Sequence, residues 1–296
     1  MIITLALSPS LDVTYEVDEL RRGDISRPTR VTHVAGGKAL NVARVATALG
    51  ADALAVAALG GRSGAWVADL LASDGVAATV VPIRRNTRTC LAIVEHRGAS
   101  SSTDVYEPAT ALDAEEWVAF GDAALGASSA SGPSTRLVLS GSLPPGAPAE
   151  EVADLLDGCR RAGAWVALDG SGEGLRITAR SADLLKVNRS EAAELLAEDA
   201  SAKRAAYEIF ARFGVDVIVT DGVRGGSAIL GGEPIALSPP ATPGRFSAGS
   251  GDAFLGGLLA ALERGADGPT ALEAARDAAE RNALCPGQGV LAPSRA

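Results

Sequence analysis

The chain has 296 residues, 47% of them hydrophobic, and a formal net charge of −9. That length suffices for one large or two ordinary domains, and the acidic balance argues against a general nucleic-acid binder, which needs a basic excess to neutralise a phosphate backbone. Cys90, Cys159 and Cys285 are odd in number and far apart, which fits neither a disulfide framework nor a metal cluster. With only His33 and His96 present, a histidine zinc site or a Ser-His-Asp triad is poorly supported. No apolar run reaches the membrane-spanning length of about 20 residues. The start, Met1 to Ser10, has no basic region or cleavage site and reads as a first strand. A reducing cytoplasm is the expected location.

In chain order, apolar runs of strand length alternate with segments of helical period. Strands are predicted at Ile2 to Leu7, Ala53 to Ala58, Arg136 to Leu139, Trp165 to Leu168, Asp183 to Val187 and Val215 to Thr220. Several are apolar on both faces, as buried parallel strands are. Helices are predicted at Ala39 to Leu49, Ala65 to Ser73, Ala114 to Leu125, Ala149 to Ala162, Arg189 to Ala197 and Ala202 to Phe213, with Asp252 to Arg264 and Pro269 to Leu284 closing the chain. The alternation implies a mostly parallel α/β sheet covered by helices on both faces. Val13 to Val34 and Thr89 to Glu107 interrupt it with short alternating patterns and no helix, so they are expected to pair as a small β lid or to lie at the edges of the main sheet. Ala127 to Ser134, rich in Ala, Ser, Gly and Pro, is read as a surface loop.

The chemistry concentrates in Ser247 to Leu262. Gly249, Ser250 and Gly251 form a small-residue turn running into an apolar helix whose first turn carries Asp252. Unpaired amides and the positive end of the helix dipole suit an anion there. A carboxylate in the same place would repel that anion, but it can take a proton from a nucleophile attacking it, which suggests phosphoryl transfer. The alternative is ordinary helix punctuation.

Val34 to Gly50 repeats the theme: Gly36 and Gly37, then Lys38 for an anionic substrate group, then Asn41 one turn into a helix as donor and acceptor for hydroxyls. Asp12 follows the first strand, at the end where open α/β sheets place ligands, and can accept two hydroxyl hydrogen bonds or simply cap a loop. Asn188 and Glu191, three apart at a helix start, can order the water shell of Mg²⁺ on a nucleotide; Asn-x-x-Glu is equally a capping pattern.

The paired signatures G-G-K-A-L-N-V-A and G-S-G-D-A-F, with T-R-T-C-L-A-I around Arg88, S-G-S-L-P from Ser140 and D-G-S-G-E-G-L from Asp169, resemble the PfkB family of ribokinase-like carbohydrate kinases over essentially the whole chain. The likeness is greatest to the branch that phosphorylates hexose phosphates. It implies a single three-layer domain, residues 1–296, with a β lid at about 13–34 and 87–108. It implies Asp252 as catalytic base and the amides of Gly249, Ser250 and Gly251 as an anion hole. Asp12, Gly37 and Asn41 would hold sugar hydroxyls, and Lys38 and Arg88 the phosphate already on the substrate. Lys186, Asn188 and Glu191 would serve Mg-ATP phosphates, with Thr220, Gly222, Gly225 and Asn282 lining the nucleotide pocket.

The implied activity is transfer from ATP to a phosphorylated ketohexose: fructose 1-phosphate first, then tagatose 6-phosphate or fructose 6-phosphate. An unphosphorylated sugar or nucleoside follows, and a non-catalytic sugar-phosphate sensor comes last. A homodimer through the lid is also implied. The chain departs from the branch pattern at Ser8, Ala39, Tyr106, Ala109 and Asp221.

Overall fold

The computed structural model describes residues 1–97 and 102–294. The main-sheet strands are β1 (Ile2–Ala6), β4 (Ala53–Leu59), β5 (Ala77–Pro82), β8 (Arg136–Ser140), β9 (Trp165–Asp169), β10 (Leu184–Asn188), β11 (Asp216–Thr220), β12 (Gly226–Leu230) and β13 (Glu233–Leu237). Their spatial order is β13-β12-β11-β10-β9-β8-β1-β4-β5, parallel throughout except for β12 and β13. From β1 the chain builds outward through β4 and β5, then returns to the other flank of β1 at β8. That reversal opens a crevice beyond the carboxyl ends of β1 and β8, the usual ligand position in such sheets.

The helices are α1 (Lys38–Ala48), α2 (Gly61–Ser73), α3 (Ala114–Ser131), α4 (Ala149–Arg161), α5 (Gly172–Thr178), α6 (Arg189–Leu196), α7 (Ala202–Phe213), α8 (Ser250–Glu263) and α9 (Gly268–Ala283). Alternation along β1 sends Ile3 and Leu5 to one face, where they join Phe120, Leu156 and Ile209 from α3, α4 and α7. Ile2 points the other way and joins Val42, Leu255 and Leu258 from α1 and α8. These two buried layers are why the central strands read as continuous apolar runs.

The two interrupting segments form a separate sheet of β2 (Ser10–Val17), β3 (Arg30–Gly36), β6 (Arg88–Glu95) and β7 (Ser102–Tyr106), in the order β3-β2-β6-β7. They are not edge strands of the main sheet, and residues 98–101 of the second segment lie outside the described residues. Leu11 and Val13 pack this sheet against Leu40 of α1 and Val67 and Leu71 of α2.

One expectation is overturned. The predicted surface loop Ala127 to Ser134 is largely helix, because α3 continues to Ser131 before stopping at Gly132 and Pro133. Alanine is the best helix former, and the Ser131 hydroxyl donates back to the Ala127 carbonyl at 2.8 Å, so local composition sustains the helix until Gly and Pro end it. Also unanticipated are β5, the β12–β13 hairpin and the seven-residue α5.

Candidate active site

The site is assembled where α1 crosses α8. Gly256 makes the crossing close: a Cβ there would lie 2.8 Å from the Val45 Cβ and 2.9 Å from the Val42 carbonyl oxygen. One turn earlier on each helix, Asn41 and Asp252 therefore meet, and the Asn41 amide nitrogen donates to Asp252 Oδ2 at 2.8 Å. Both side chains are buried. Gly249 caps α8 with φ 80°, a conformation costly for any residue bearing a Cβ. The Ser250 amide donates to the Ser247 carbonyl at 3.1 Å, which takes it out of the expected anion hole, whereas the amides of Gly249, Gly251 and Asp252 have no hydrogen-bond partner among the described residues.

Charges of both signs surround Asp252. Asp169, fully buried at the end of β9, accepts from Lys186 at 3.1 Å and Lys38 at 3.3 Å, and Lys38 also donates to Glu191 at 2.9 Å. Burial opposes charge on Asp169, yet Lys186 and Lys38 hold its carboxyl below the usual range. Asp252 behaves oppositely: burial and the Asp169 charge push its carboxyl up to about 7, against the pull of Lys38, Asn41 and Lys186. A carboxylate that titrates near neutrality can accept a proton and release it again. Lys186 Nζ lies 2.9 Å from where a Gly251 Cβ would sit, which places an ammonium against the turn that would face an anion.

At the start of β2, Asp12 is buried and accepts from the Ser10 hydroxyl at 2.5 Å, and burial pushes its carboxyl up to about 6. Arg88 donates to the Ser8 carbonyl at 3.2 Å and the Glu107 carbonyl at 3.3 Å. The Arg88 Nε and the Ser8 hydroxyl are both buried without a partner, an arrangement that a ligand acceptor would satisfy. Gly37 sits between Pro9 and α1 and caps that helix. Arg88 and Lys38 hold different partners: Arg88 is anchored to backbone carbonyls, Lys38 to the Asp169 and Glu191 carboxylates.

On the other side of the α8 start lies a cleft of about 180 Å³. Thr220, Gly222 and Gly225 line it, as the sequence leads one to expect, along with Val223, Phe254 and Ala279. Asn282 does not line it. Fully buried behind the cleft, its amide donates to the Ala248 carbonyl at 2.9 Å, and its oxygen accepts from the Gly289 amide at 2.7 Å. It pins the anion turn to the C-terminal loop. Asn188 caps α6, with its side chain accepting from the Glu191 amide while Glu191 accepts from the Asn188 amide at 2.8 Å. The capping reading of this pair is thus realised.

Among the described residues no group of three or more His, Cys, Asp or Glu side chains could hold a metal ion directly. The oxygens of Asn188 and Glu191 are already engaged, by the Glu191 amide and the Ser190 hydroxyl and by the Asn188 amide and Lys38, so they could meet a Mg²⁺ only through its water shell. The apolar cleft fits a base and ribose, and the first turn of α8 fits phosphate oxygens. Sequence reasoning gives no role to Asp169 or Arg44. Asp169 lies at the carboxyl end of a parallel strand, the position expected of Asp12; Asp12 itself lies inside β2 of the second sheet, paired with Val34 and Cys90.

A buried, near-neutral carboxylate set at a helix N-terminus, between a polar pocket and an apolar cleft at the switch point of an α/β sheet, defines a phosphotransferase acting on a hydroxyl. The chain belongs to the pfkB family of carbohydrate kinases, whose sequence profile matches residues 6–295. It is 35% identical over 280 residues to a 1-phosphofructokinase of Haloferax volcanii, covering 92% of this chain and 87% of that protein. It is 32% identical over 278 residues to the ATP-dependent 6-phosphofructokinase isozyme 2 of Mycobacterium tuberculosis, covering 89% and 78%. Its fold is similar to phosphofructokinase-2 from Escherichia coli in complex with potassium, at a TM-score of 0.89 and 26% identity, covering 98% of this chain and 95% of that one. Among the described residues no helix is long and apolar enough to cross a membrane.

Proposed function

We propose that this protein transfers the γ-phosphoryl group of Mg-ATP to a phosphorylated ketohexose, with fructose 1-phosphate converted to fructose 1,6-bisphosphate as the preferred reaction. The observation that carries the reading is the Asn41–Asp252 contact at the start of α8, between a polar pocket that holds an unpartnered Arg88 nitrogen and an apolar cleft. ATP supplies the phosphoryl group, and Mg²⁺ supplies charge neutralisation on its phosphates.

Asp252 takes the proton of the acceptor hydroxyl, and the Gly251 and Asp252 amides with Lys186 stabilise negative charge on the transferring group. Asp12, Gly37 and Asn41 orient the sugar hydroxyls. Arg88 grips the phosphate already present, because a guanidinium recognises phosphate through paired, charge-assisted hydrogen bonds, whereas a free sugar offers it only neutral hydroxyl acceptors. Lys38, held by Asp169 and Glu191, adds positive charge between the acceptor phosphate and the metal-side carboxylates. The second sheet acts as a lid that excludes water, and its exposed Val31, Val105 and Tyr106 provide a contact for a second copy. Free Cys90, Cys159 and Cys285 fit a reducing cytoplasm.

The deciding experiment is Mg-ATP consumption with fructose 1-phosphate, tagatose 6-phosphate, fructose 6-phosphate and unphosphorylated fructose. A kcat/KM highest for fructose 1-phosphate is expected. Preference for the free sugar, or no turnover with any of the four, would overturn the reading. A monomeric mass in solution would remove the lid-mediated dimer.

A further inference from the structure

Arg44 lies on α1 one turn beyond Asn41 and is almost entirely buried. Its guanidinium serves four acceptors on four separate elements. Nε donates to Asp74 Oδ2 at the end of α2, at 2.7 Å. Nη1 donates to Asn41 Oδ1 and to the Gln288 carbonyl, both at 3.1 Å, and Nη2 donates to the Ala35 carbonyl in β3. The reaction scheme above uses Asn41 but gives no role to Arg44 or Asp74.

We propose that Arg44 is a positioning residue for the proton-accepting carboxylate: by occupying the Asn41 amide oxygen, it compels the amide nitrogen to face Asp252. The argument rests on donor chemistry. A guanidinium has five donors and no acceptor, so only the oxygen end of the amide can turn toward it. The nitrogen end then has one direction left, and Asp252 Oδ2 lies there at 2.8 Å. Without Arg44 the amide is free to turn over, and its oxygen would oppose the carboxylate it now stabilises. Asp74 completes the relay by holding the guanidinium in plane.

The inference rests on the reading of Asp252 as base. Other groups also act on that carboxylate: Asp169 from β9, Lys38 from α1 and Lys186 from β10. Arg44 itself faces Asp74 and also lowers the titration of Asp12. Loss of Arg44 should therefore raise the titration of Asp252, whose ionised form the Asn41 amide favours, and of Asp12.

The test compares wild type, Arg44→Met, Arg44→Lys and Asp74→Asn in two readouts. One is kcat against pH; the other is the Asp252 carboxyl titration followed by carbon NMR in aspartate-labelled protein, assigned with Asp252→Asn. In Arg44→Met the acidic limb of kcat and the NMR titration should both move up by about one pH unit, a tenfold loss of the ionised fraction below the midpoint. Turnover should return toward wild type on the alkaline side. Arg44→Lys should move the same way, because an ammonium cannot span the four acceptors, and Asp74→Asn should give a smaller shift in the same direction. A pH-independent loss of kcat with an unchanged Asp252 titration would overturn the inference and leave Arg44 a structural link. Should Arg44→Met fail to fold, Asp74→Asn is read by the same criteria. If wild type phosphorylates no sugar, the functional reading fails, while the NMR titration still decides the role of Arg44.

Discussion

On the acceptor side of α8, polar side chains are buried and already engaged: Asp12 with Ser10, Asp169 with Lys186 and Lys38, Asn41 with Asp252 and Arg44. On the proposed nucleotide side the cleft is lined mostly by glycines, prolines and apolar side chains such as Val223, Phe254 and Ala279, with hydroxyls such as Thr220 and Ser250 among them and the charged Arg276 and Glu280 3.5 Å from each other. The first half fixes electric charge in place before a substrate arrives, and the second offers mainly shape. A substitution in the charged half leaves a buried partner uncompensated, so effects there should be large. Changes in the apolar half should be graded by volume.

The sharpest break of this contrast is Asp252→Asn. It should lower kcat by at least about 10²-fold, the lower range for removing a positioned base, with KM retained. Wild-type kcat should rise with pH through about 7, as Asp252 loses its proton. Stability runs the other way. Because the folded protein raises this carboxyl from 3.8 to about 7, it binds the proton more tightly than the unfolded chain does. The resulting stabilisation is complete below the unfolded value and is lost as pH rises through the folded one. Asp252→Asn should therefore raise Tm at pH 8 and leave it near wild type at pH 4. A variant that loses activity and stability together at pH 8 would contradict the assignment of Asp252 as a desolvated base.

Next in size is Arg88→Ala. Charge-assisted hydrogen bonds contribute roughly 1.5–3 kcal/mol, so KM for a sugar phosphate should rise by about 10- to 100-fold. KM for ATP should stay within about twofold. Steady-state kinetics with both substrates varied separates the two. An equal rise for both would mean that Arg88 supports the fold of β6 and the second sheet, with no dedicated contact to the acceptor.

Much of this architecture is legible in the sequence because its strands are buried on both faces and its helices carry strong periodicity. The strands of the second sheet are legible because β6 is buried on alternate residues, the signature of a half-covered sheet. The hairpin of β12 and β13 passes unseen although Gly231 and Gly232 form a two-residue turn between its strands. Both strands are short, and β13 is largely exposed. At the site, Asp252 and its turn stand out because a charge in an apolar helix demands a reason. The partners of that charge do not. Lys38 meets Asp169 and Glu191 across 131 and 153 residues, a closeness made by the order of strands β1, β8, β9 and β10. Nothing local to those residues announces it. Arg44 is hidden for a different reason: an arginine in a helix is ordinarily a solvated side chain, and only the packing of four elements around it makes it a hub.

Within the apolar half, Ala279→Phe should raise KM for ATP by about tenfold through lost cleft volume, with KM for the sugar phosphate and kcat near wild type. Isothermal titration with a non-hydrolysable ATP analogue checks this directly. A larger kcat effect than KM effect would mean that the cleft also sets the reacting geometry, and the division of labour between the two halves would fail.

The smallest effect is expected at Asp221, where a carboxylate stands in the nucleotide loop. It accepts two hydrogen bonds from Arg224, at 2.6 and 2.8 Å, and lies 4.0 Å from Arg189. Arg224 is largely exposed, and ion pairs of that kind contribute about 0.2–1 kcal/mol, which corresponds to less than about fivefold in affinity. Asp221→Ala should therefore change KM for ATP by less than about fivefold, and the difference should shrink as ionic strength rises, because a pair with a solvated partner is screened by salt. Comparison with GTP under the same conditions isolates recognition of the base: if Asp221 only braces the loop, the ATP-to-GTP ratio of kcat/KM stays constant. A change in that ratio would place a charged side chain in the recognition of the base, in the half of the site that otherwise works by shape.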